Sequence, residues 1–237
     1  MVTALAIEIR DLRFRYPGAA ADCLDIGTFQ AETGARVFLY GPSGSGKSTL
    51  LGLIGGVMQP QQGTLNILGN NLAHMGPAVR DRLRADHIGF IFQQFNLIPY
   101  LSVMDNVLLP CRFSPRRLQR ALASGGALVD EARRLLFHLQ LENMECTPVT
   151  QLSVGQQQRV AAARALIGKP EIVIADEPTS ALDTDRQAAF LDLLLQECSE
   201  ANAALIFVSH DRRLAVHFDH EISLPSINQA VPNEATL

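Results

Sequence analysis

A glycine-rich segment early in the chain carries the residue types that bind phosphate. The segment reads Gly41-Pro42-Ser43-Gly44-Ser45-Gly46-Lys47-Ser48-Thr49. Its glycines let backbone N–H groups turn inward around phosphate oxygens, while Lys47 can reach the β- and γ-phosphates and the Ser48 hydroxyl can bind Mg²⁺. An apolar run at residues 37–40 precedes the segment, and a helical pattern at residues 48–54 follows. This order of strand, loop and helix favours a phosphate-binding loop over a simple turn.

An acidic pair follows a second apolar run. Residues 172–175 are all apolar, and Asp176 and Glu177 come directly after them. At the end of a strand, Asp176 can hold Mg²⁺ directly or through water, and Glu177 can polarise an attacking water as a general base. The alternative is an acidic turn that ends the strand, but two adjacent carboxylates there are costly unless a cation compensates them. The two segments together predict a nucleoside-triphosphate site of the kind that kinases, GTPases and motors share.

Apolar periodicity predicts the elements that must position these residues. Alternating apolar residues at the N-terminus, with a change of phase at Asp11, predict strands with one buried face. Further strands are expected over residues 37–40, 88–92, 172–175 and 205–208. Helices are expected over residues 48–54, 128–139, 154–165 and 185–199, and from Val103 onward after a Ser102/Asp105 capping box. The stretch from about residue 96 to 168 has helical periodicity and few strand signals, which indicates an α/β core interrupted by a helical insertion.

Composition excludes several classes of protein. Of 237 residues, 47% are hydrophobic and 19% charged, which excludes disordered, collagen-like and coiled-coil chains. The net charge of −4 argues against broad electrostatic binding to nucleic acid. Neither a membrane-spanning run nor a secretion signal is expected. The cysteines are scattered, as is typical of reduced thiols in the cytosol, at Cys23, Cys111, Cys146 and Cys198.

One further segment indicates which class of nucleoside-triphosphate-binding protein the chain resembles. It reads Gln151-Leu152-Ser153-Val154-Gly155-Gln156-Gln157-Gln158-Arg159. Lying between the phosphate loop and the acidic pair, it resembles the signature of ATP-binding-cassette (ABC) proteins, usually Leu-Ser-Gly-Gly-Gln, and the resemblance covers essentially the whole chain. It implies a P-loop NTPase (RecA-like) α/β core with an N-terminal antiparallel β subdomain and an inserted α-helical subdomain. The expected division of the single domain is core at residues 1–93 and 168–224, helical subdomain at about 94–167, and flexible tail at 225–237.

The resemblance also implies roles for individual residues. Tyr16 matches an aromatic that stacks on adenine, Gln93 the glutamine that links core to helical subdomain, and His210 the switch histidine. Alone, each of the three has an ordinary structural explanation, but their joint order favours the family roles. The implied catalytic residues are Glu177, His210, Gln93 and Lys47. The implied ATP contacts are Tyr16, all nine residues of the phosphate loop, Ser153, Gly155, Gln156 and Asp183. The implied Mg²⁺ ligands are Ser48, Gln93 and Asp176.

In the family, two subunits meet head to tail, and each ATP lies between one phosphate loop and the partner's signature. The resemblance therefore implies an ATP-dependent homodimer in which Ser153 and Gly155 contact the γ-phosphate held by the other copy. Val154 replaces the first signature glycine. A β-branched residue does not tolerate positive φ, so we expect Val154 in an unstrained helix N-terminus.

The resemblance further implies a separate permease subunit that docks on residues 96–141, no nucleic-acid partner, and a peripheral location at the cytoplasmic face of the inner (plasma) membrane. Residues 89–99 and 105–110 look like the branch that handles lipoprotein release and macrolide export. Ser180-Ala181 departs from that branch, which usually has Gly-Asn there. Two alternatives stay open: an ABC ATPase that regulates a membrane complex without transport, as in cell division, and a soluble ABC ATPase acting on nucleic acid or ribosomes. The single cassette and acidic composition disfavour the second.

Two smaller features complete the sequence. His217 and His220 flank Asp219, but a third ligand at a recognisable metal spacing is missing. A set of arginines is expected to form a solvated helix face, with lipid-headgroup contact as the alternative. These are Arg112, Arg116, Arg117 and Arg120.

Overall fold

The computed structural model describes residues 4–123, 126–180 and 184–230. The strands are β1 (Leu5–Phe14), β2 (Leu24–Glu32), β3 (Arg36–Tyr40), β4 (Gln62–Ile67), β5 (Asn70–Asn71), β6 (Ile88–Ile91), β7 (Ile172–Asp176), β8 (Ala204–Val208) and β9 (His220–Ser223). The helices are α1 (Lys47–Ile54), α2 (Pro77–His87), α3 (Val103–Phe113), α4 (Pro115–Leu122), α5 (Leu128–His138), α6 (Val154–Leu166), α7 (Thr184–Glu200) and α8 (Leu224–Ile227). Short 3₁₀ turns cover Leu72–His74, Val149–Gln151 and Arg212–His217.

An antiparallel sheet in the order β2-β1-β4-β5 forms the N-terminal part of the fold. Strand β1 is bulged against β4, because its register shifts between Arg10 and Arg13 and Asp11 has a left-handed φ of 49°. The bulge lets Ile9 and Leu12, three positions apart, both be fully buried. The change of phase at Asp11 is therefore confirmed. The sequence analysis did not predict β2 or β4. The burial pattern of β2 changes phase along the strand, so its apolar residues do not alternate regularly.

A parallel sheet in the order β6-β7-β8-β3-β9 forms the core. Its residues alternate between two apolar layers: Ile172 and Ile174 face the antiparallel sheet, and Val173 and Ala175 face the helices. The strands predicted at residues 37–40, 88–92, 172–175 and 205–208 are all present within one residue of the expected ends. Strand β9 was missed because it is a short edge strand with no buried residue. The carboxyl ends of β3, β7 and β8 lie side by side.

Helices α3 to α6 lie between β6 and β7 in the chain and pack on one another. Ser102 caps α3 as expected, its hydroxyl accepting the N–H of Asp105 at 3.0 Å. The buried Asn106 side chain holds the preceding loop by accepting the Ile98 N–H at 2.8 Å and donating to the Ser102 carbonyl at 3.0 Å. Helices α2 and α4 were not predicted separately. The expected α/β class with an antiparallel sheet and inserted helices is confirmed.

The expected solvated face is only partly present, because Arg112 and Arg116 are exposed whereas Arg117 is buried and Arg120 is half-buried. Arg117 is only 3% exposed and donates to the carbonyls of Ile167, at 2.9 Å, and Ala165. Arg116 and Arg120 both pair with Glu171, which directly precedes β7. Arg112 pairs locally with Asp105 at 2.7 Å. Helical periodicity could show that these residues share a face, but not that the face packs against the core.

Glu171 is the carboxylate that joins α4 to the core. Burial raises the pKa of Glu171, but hydrogen bonds from His87 and Arg116 and the charge of Arg120 outweigh it and hold the pKa at about 2. His87 ends α2, and its Nδ1 lies 3.0 Å from the Glu171 carboxylate. Three positively polarised groups from two helices therefore converge on one anion.

The first part of the expected flexible tail, residues 225–230, is bound to the fold. Asn228 accepts the Asp25 N–H at 2.8 Å and donates to the carbonyls of Cys23 and Ser45, at 3.1 and 3.2 Å. Gln229 adds a backbone hydrogen bond to Asp25. Residues 231–237 lie outside the described ranges. Across the described ranges, a helix with the length and hydropathy to cross a membrane is absent.

Candidate nucleotide site

A cavity of about 470 Å³ opens where the carboxyl ends of the parallel strands meet the start of α1. A volume of this size suits a small-molecule ligand. It is lined by Cys23, Ser43, Gly44, Gly46, Lys47, Ser48, Thr49, Gln93, Asp176, Glu177 and His210. Ten of these eleven residues were predicted from the sequence, and they come from four separate stretches of the chain.

The phosphate loop wraps around the side chain of its own lysine. Lys47 is 8% exposed, and its ammonium donates to the carbonyls of Gly41 and Pro42 at 2.8 and 2.9 Å. Gly46 has a φ of 100°, and a Cβ there would come within 2.6 Å of Leu24, so only glycine fits. Because α1 begins at Lys47, the unpaired N–H groups of its first turn face the cavity and favour an anion.

Two adjacent carboxylates form the opposite wall. Burial raises the pKa of Asp176 and the neighbouring charge of Glu177 adds to this, while Lys47 and a hydrogen bond with Ser48 act in the other direction. Glu177 adopts a left-handed φ of 46°, and its N–H donates to the Val208 carbonyl at 3.0 Å. Such backbone strain in a non-glycine residue occurs most often at functional sites.

His210 contacts the second of these carboxylates. His210 Nε2 lies 2.6 Å from Glu177 Oε1. The hydroxyl of Ser48, the carboxylate of Asp176 and the carboxamide of Gln93 line the same cavity. These are hard oxygen donors, and a divalent cation beside Asp176 would relieve the cost of its buried charge, so the residues fit Mg²⁺.

Tyr16 lies at the edge of the cavity. Its hydroxyl is 3.0 Å from Thr49 Oγ1, and its ring stands edge-on to Phe14 with centroids 5.1 Å apart. Tyr16 is 44% exposed, so it is not part of the buried core. This arrangement fits an aromatic platform rather than a core aromatic.

The signature residues lie apart from the cavity, at the start of α6. Ser153 caps the helix: its hydroxyl accepts the Gln156 N–H at 3.3 Å, and the Gln156 side chain accepts the Ser153 N–H at 2.9 Å. Val154 is the first helical residue, is 50% exposed, and is not among the residues with positive φ. Its expected unstrained position is therefore confirmed. Asp183 lies outside the described residues.

One cavity residue escaped the sequence analysis. Cys23 was noted only as a scattered cysteine, yet its thiol lies 3.4 Å from Thr49 Oγ1. It directly precedes β2, whose first residue, Leu24, packs under Gly46. Cys23 could have been predicted as a cavity residue only if β2 had been recognised as a strand beside the phosphate loop.

The carboxylate between the two histidines near the C-terminus is hydrogen-bonded to the backbone of the core. Asp219, between His217 and His220, accepts the backbone N–H of Arg36 at 2.8 Å. Within the described ranges, the histidine and carboxylate side chains close enough to share an ion are His138, Glu197 and Glu200. The guanidinium of Arg134 already lies 3.0 Å from Glu197 and 3.9 Å from Glu200, so that cluster carries its own cation.

Comparisons with known proteins agree with this geometry. The family model described as ABC transporter matches residues 24–180. The chain is 37% identical to the lipoprotein-releasing system ATP-binding protein LolD of Hydrogenovibrio crunogenus, covering 87% of this chain and 86% of that protein. It is 36% identical to the macrolide export ATP-binding/permease protein MacB of Rhodopirellula baltica, covering 83% of this chain but 28% of that one.

A solved structure shares the fold. It is a dimeric ATP-binding cassette in a post-hydrolysis state with ADP and phosphate, and it superimposes with a TM-score of 0.77 at 33% identity. The alignment covers 92% of this chain and 93% of that one. The two sheets, the inserted helices and the phosphate-loop cavity define a nucleotide-binding cassette. The chain belongs to the ABC transporter family; it is an ATP-binding subunit with the ATPase activity of that family.

Proposed function

We propose that two copies of this chain hold two ATP molecules between them and drive a separate permease subunit in a membrane. The observation that carries the proposal is the separation of two halves of a site. Lys47, Glu177 and His210 are together in one cavity, whereas Ser153 and Gly155 lie apart at the exposed start of α6. A second copy, placed head to tail, would bring its Ser153 and Gly155 to the open side of the cavity.

Binding would use the phosphate loop and Tyr16. Residues Gly41 to Thr49 surround the triphosphate with backbone N–H groups, and the Lys47 ammonium moves from its carbonyl partners to the β- and γ-phosphates. The Tyr16 ring stacks on the base, beside Thr49. The family resemblance adds Asp183 to the proposed ATP contacts.

Mg²⁺ would be held by Ser48, Gln93 and Asp176. The ion, when bound, supplies positive charge that neutralises the β- and γ-phosphate oxygens. Gln93 follows β6 and precedes the inserted helices, so a ligand contact there would connect the nucleotide to the helical part of the chain.

Hydrolysis would depend on Glu177. Its carboxylate orients the attacking water and accepts the proton, and its strained backbone fixes the direction of the side chain. His210 holds Glu177 Oε1 in place through its 2.6 Å contact. Gln93 and Lys47 complete the catalytic set by positioning the phosphates.

The free energy that drives the opening and closing of the two copies would come from their contacts with the γ-phosphate. To move an open–closed equilibrium from 1:99 to 99:1 takes about 5.5 kcal/mol of differential binding. Two nucleotides, each bridged by charge-assisted hydrogen bonds worth about 1.5–3 kcal/mol apiece, are sufficient. Loss of the γ-phosphate removes those bonds and reopens the pair.

The permease would dock on the helical subdomain, and the chain would then lie at the cytoplasmic face of the inner membrane. A nucleic-acid partner is not part of this proposal. A role that regulates a membrane complex without transport is compatible with the same site. Co-isolation of the chain with membranes, released by mild detergent as a stoichiometric complex, supports either role. Recovery with ribosomes or nucleic acid instead would favour the soluble alternative.

Replacement of the phosphate-loop lysine tests the nucleotide site. We expect Lys47→Ala to abolish ATP binding, measured by calorimetry with Mg·ATP, because the buried ammonium has no substitute. Lys169, the only other lysine of the chain, provides the matched control, and Lys169→Ala should bind ATP normally. Undiminished ATP affinity in Lys47→Ala would refute the proposed site.

A further inference from the structure

We infer that Gln61 is a positioning residue for Tyr16, and that it sets how tightly the base of the nucleotide is held. The inference rests on the proposed stacking of Tyr16 on adenine. Gln61 does not line the cavity; it acts through the backbone of Arg15, the residue before Tyr16.

The Gln61 side chain forms hydrogen bonds with both backbone polar groups of Arg15. Its Oε1 accepts the Arg15 N–H at 2.6 Å, and its Nε2 donates to the Arg15 carbonyl at 2.6 Å. The two residues are 46 positions apart in the chain. A planar carboxamide that pairs with both groups of one residue imitates the peptide group of a neighbouring strand. It fixes the Arg15 backbone in position and in orientation.

These two hydrogen bonds lie just beyond the end of the regular pairing between β1 and β4. Strand β1 ends at Phe14 and β4 begins at Gln62, so Arg15 and Tyr16 lie beyond the ladder between these strands. The chain then turns, with the Ala19 N–H donating to the Tyr16 carbonyl at 3.0 Å. The Gln61 carboxamide therefore extends the β1–β4 pairing to the residue that precedes the platform.

The ring itself is held from the other side. Thr49 Oγ1 is 3.0 Å from the Tyr16 hydroxyl, and the Phe14 ring packs edge-on against it. The backbone before Tyr16 and the tip of its ring are thus fixed independently, by Gln61 just before β4 and by Thr49 in α1. A platform ordered in advance loses less conformational entropy when a base stacks on it.

Loss of the Gln61 side chain should affect ligands with a base and ligands without one differently. Loss of the Gln61 carboxamide would loosen residues 15–16 while leaving the phosphate loop and its Lys47 contacts in place. Affinity for a ligand with a base should fall, whereas affinity for a triphosphate without a base should not. A merely structural role for Gln61 would weaken both.

The experiment compares Mg·ATP with Mg·tripolyphosphate by calorimetry. Gln61→Ala removes both hydrogen bonds, and Gln61→Glu keeps the acceptor but removes the donor. Gln59→Ala is the matched control, because that glutamine lies two residues away and donates to Ala73 instead, at 2.7 Å. We expect Gln61→Ala to weaken ATP about five- to ten-fold and Gln61→Glu about five-fold, with tripolyphosphate within two-fold of wild type. Gln59→Ala should leave both affinities unchanged.

A fluorescence readout reports the platform directly. The chain contains no tryptophan, so Tyr16→Trp introduces a single reporter. ATP should quench that tryptophan, and adding Gln61→Ala should lower its anisotropy in the absence of nucleotide. Unchanged anisotropy would overturn the inference.

A Tyr16→Ala variant separates the two ideas. If Tyr16→Ala binds ATP as wild type does, the proposed stacking is wrong, and the inference fails with it. If Tyr16→Ala weakens ATP but Gln61→Ala does not, the inference about Gln61 is wrong and the proposed function stands. If Gln61→Ala weakens ATP and tripolyphosphate equally, Gln61 supports the loop in general and the positioning role is also wrong.

Discussion

His210 Nε2 lies 2.6 Å from Glu177 Oε1, so the residue that follows β8 by two positions contacts the carboxylate that follows β7. In the proposed mechanism this contact orients the general base. We therefore expect His210→Ala to lower kcat by about 10²-fold while KM for ATP changes by less than about three-fold. Steady-state ATPase assays measure both constants.

The matched control for His210 is His217, another exposed histidine of the same region, at the end of the 3₁₀ turn. His217→Ala should retain wild-type kcat. A His210→Ala variant with full kcat, or one whose loss appears only in KM, would contradict an orienting role at Glu177.

The buried Arg117 gives a prediction about stability. Burial lowers the pKa of Arg117 to about 10, and its guanidinium satisfies the carbonyls of Ile167 and Ala165 at the end of α6. Arg117→Met should reduce the free energy of unfolding by about 2–4 kcal/mol, since those buried carbonyls lose their donor. Urea denaturation measures the change.

Arg112, on the neighbouring helix α3, is exposed, and its one ion pair with a described residue is to Asp105. Arg112→Met should change the unfolding free energy by less than about 0.5 kcal/mol. Equal losses in the two variants would show that Arg117 does not join the helices to the core as described.

Glu171 predicts a pH dependence of stability. Its pKa falls from 4.5 to about 2 in the folded protein, where His87, Arg116 and Arg120 surround it. Because the folded-state pKa lies below that of the unfolded chain, the stabilisation is complete above about pH 4.5 and is lost as pH falls toward 2. Glu171→Gln should therefore cost about 1–3 kcal/mol at pH 7 and much less near pH 3.

Denaturant titrations of wild type and Glu171→Gln at pH 7, 5 and 3 test this expectation. The difference between the two proteins should be smaller at pH 3 than at pH 5. A difference at pH 3 that equals or exceeds the one at pH 5 would contradict the assignment of Glu171 as an ionised partner of the arginines.

Sequence reasoning succeeded where the chemistry is local. The phosphate loop, the Asp176-Glu177 pair and the Ser102 cap are each built from residues close together in the chain, so their spacing alone specifies the geometry. It failed where contacts join distant parts of the chain. Neither Cys23 beside Thr49 nor Gln61 beside Arg15 has a local signal, because these contacts depend on how β2 and β4 each pair with β1.

The arginines of α4 show the same limit. Periodicity placed Arg116, Arg117 and Arg120 on one helix, but whether they meet water or the core depends on Glu171 and Ile167, which come much later in the chain. The C-terminal residues 225–230 look polar and unstructured, yet Asn228 satisfies three backbone groups across the molecule. Polar composition alone could not reveal that anchoring.

The measurement closest to the central claim is the solution mass of Glu177→Gln with Mg·ATP, determined by size-exclusion chromatography with light scattering. This variant keeps the phosphate loop but loses the proposed general base, so it should bind ATP without hydrolysing it. We predict a mass twice that of the 25.8 kDa chain with ATP, and the monomer mass when Lys47→Ala is added. A Glu177→Gln protein that binds ATP and remains at 25.8 kDa would contradict the sharing of nucleotide between two copies.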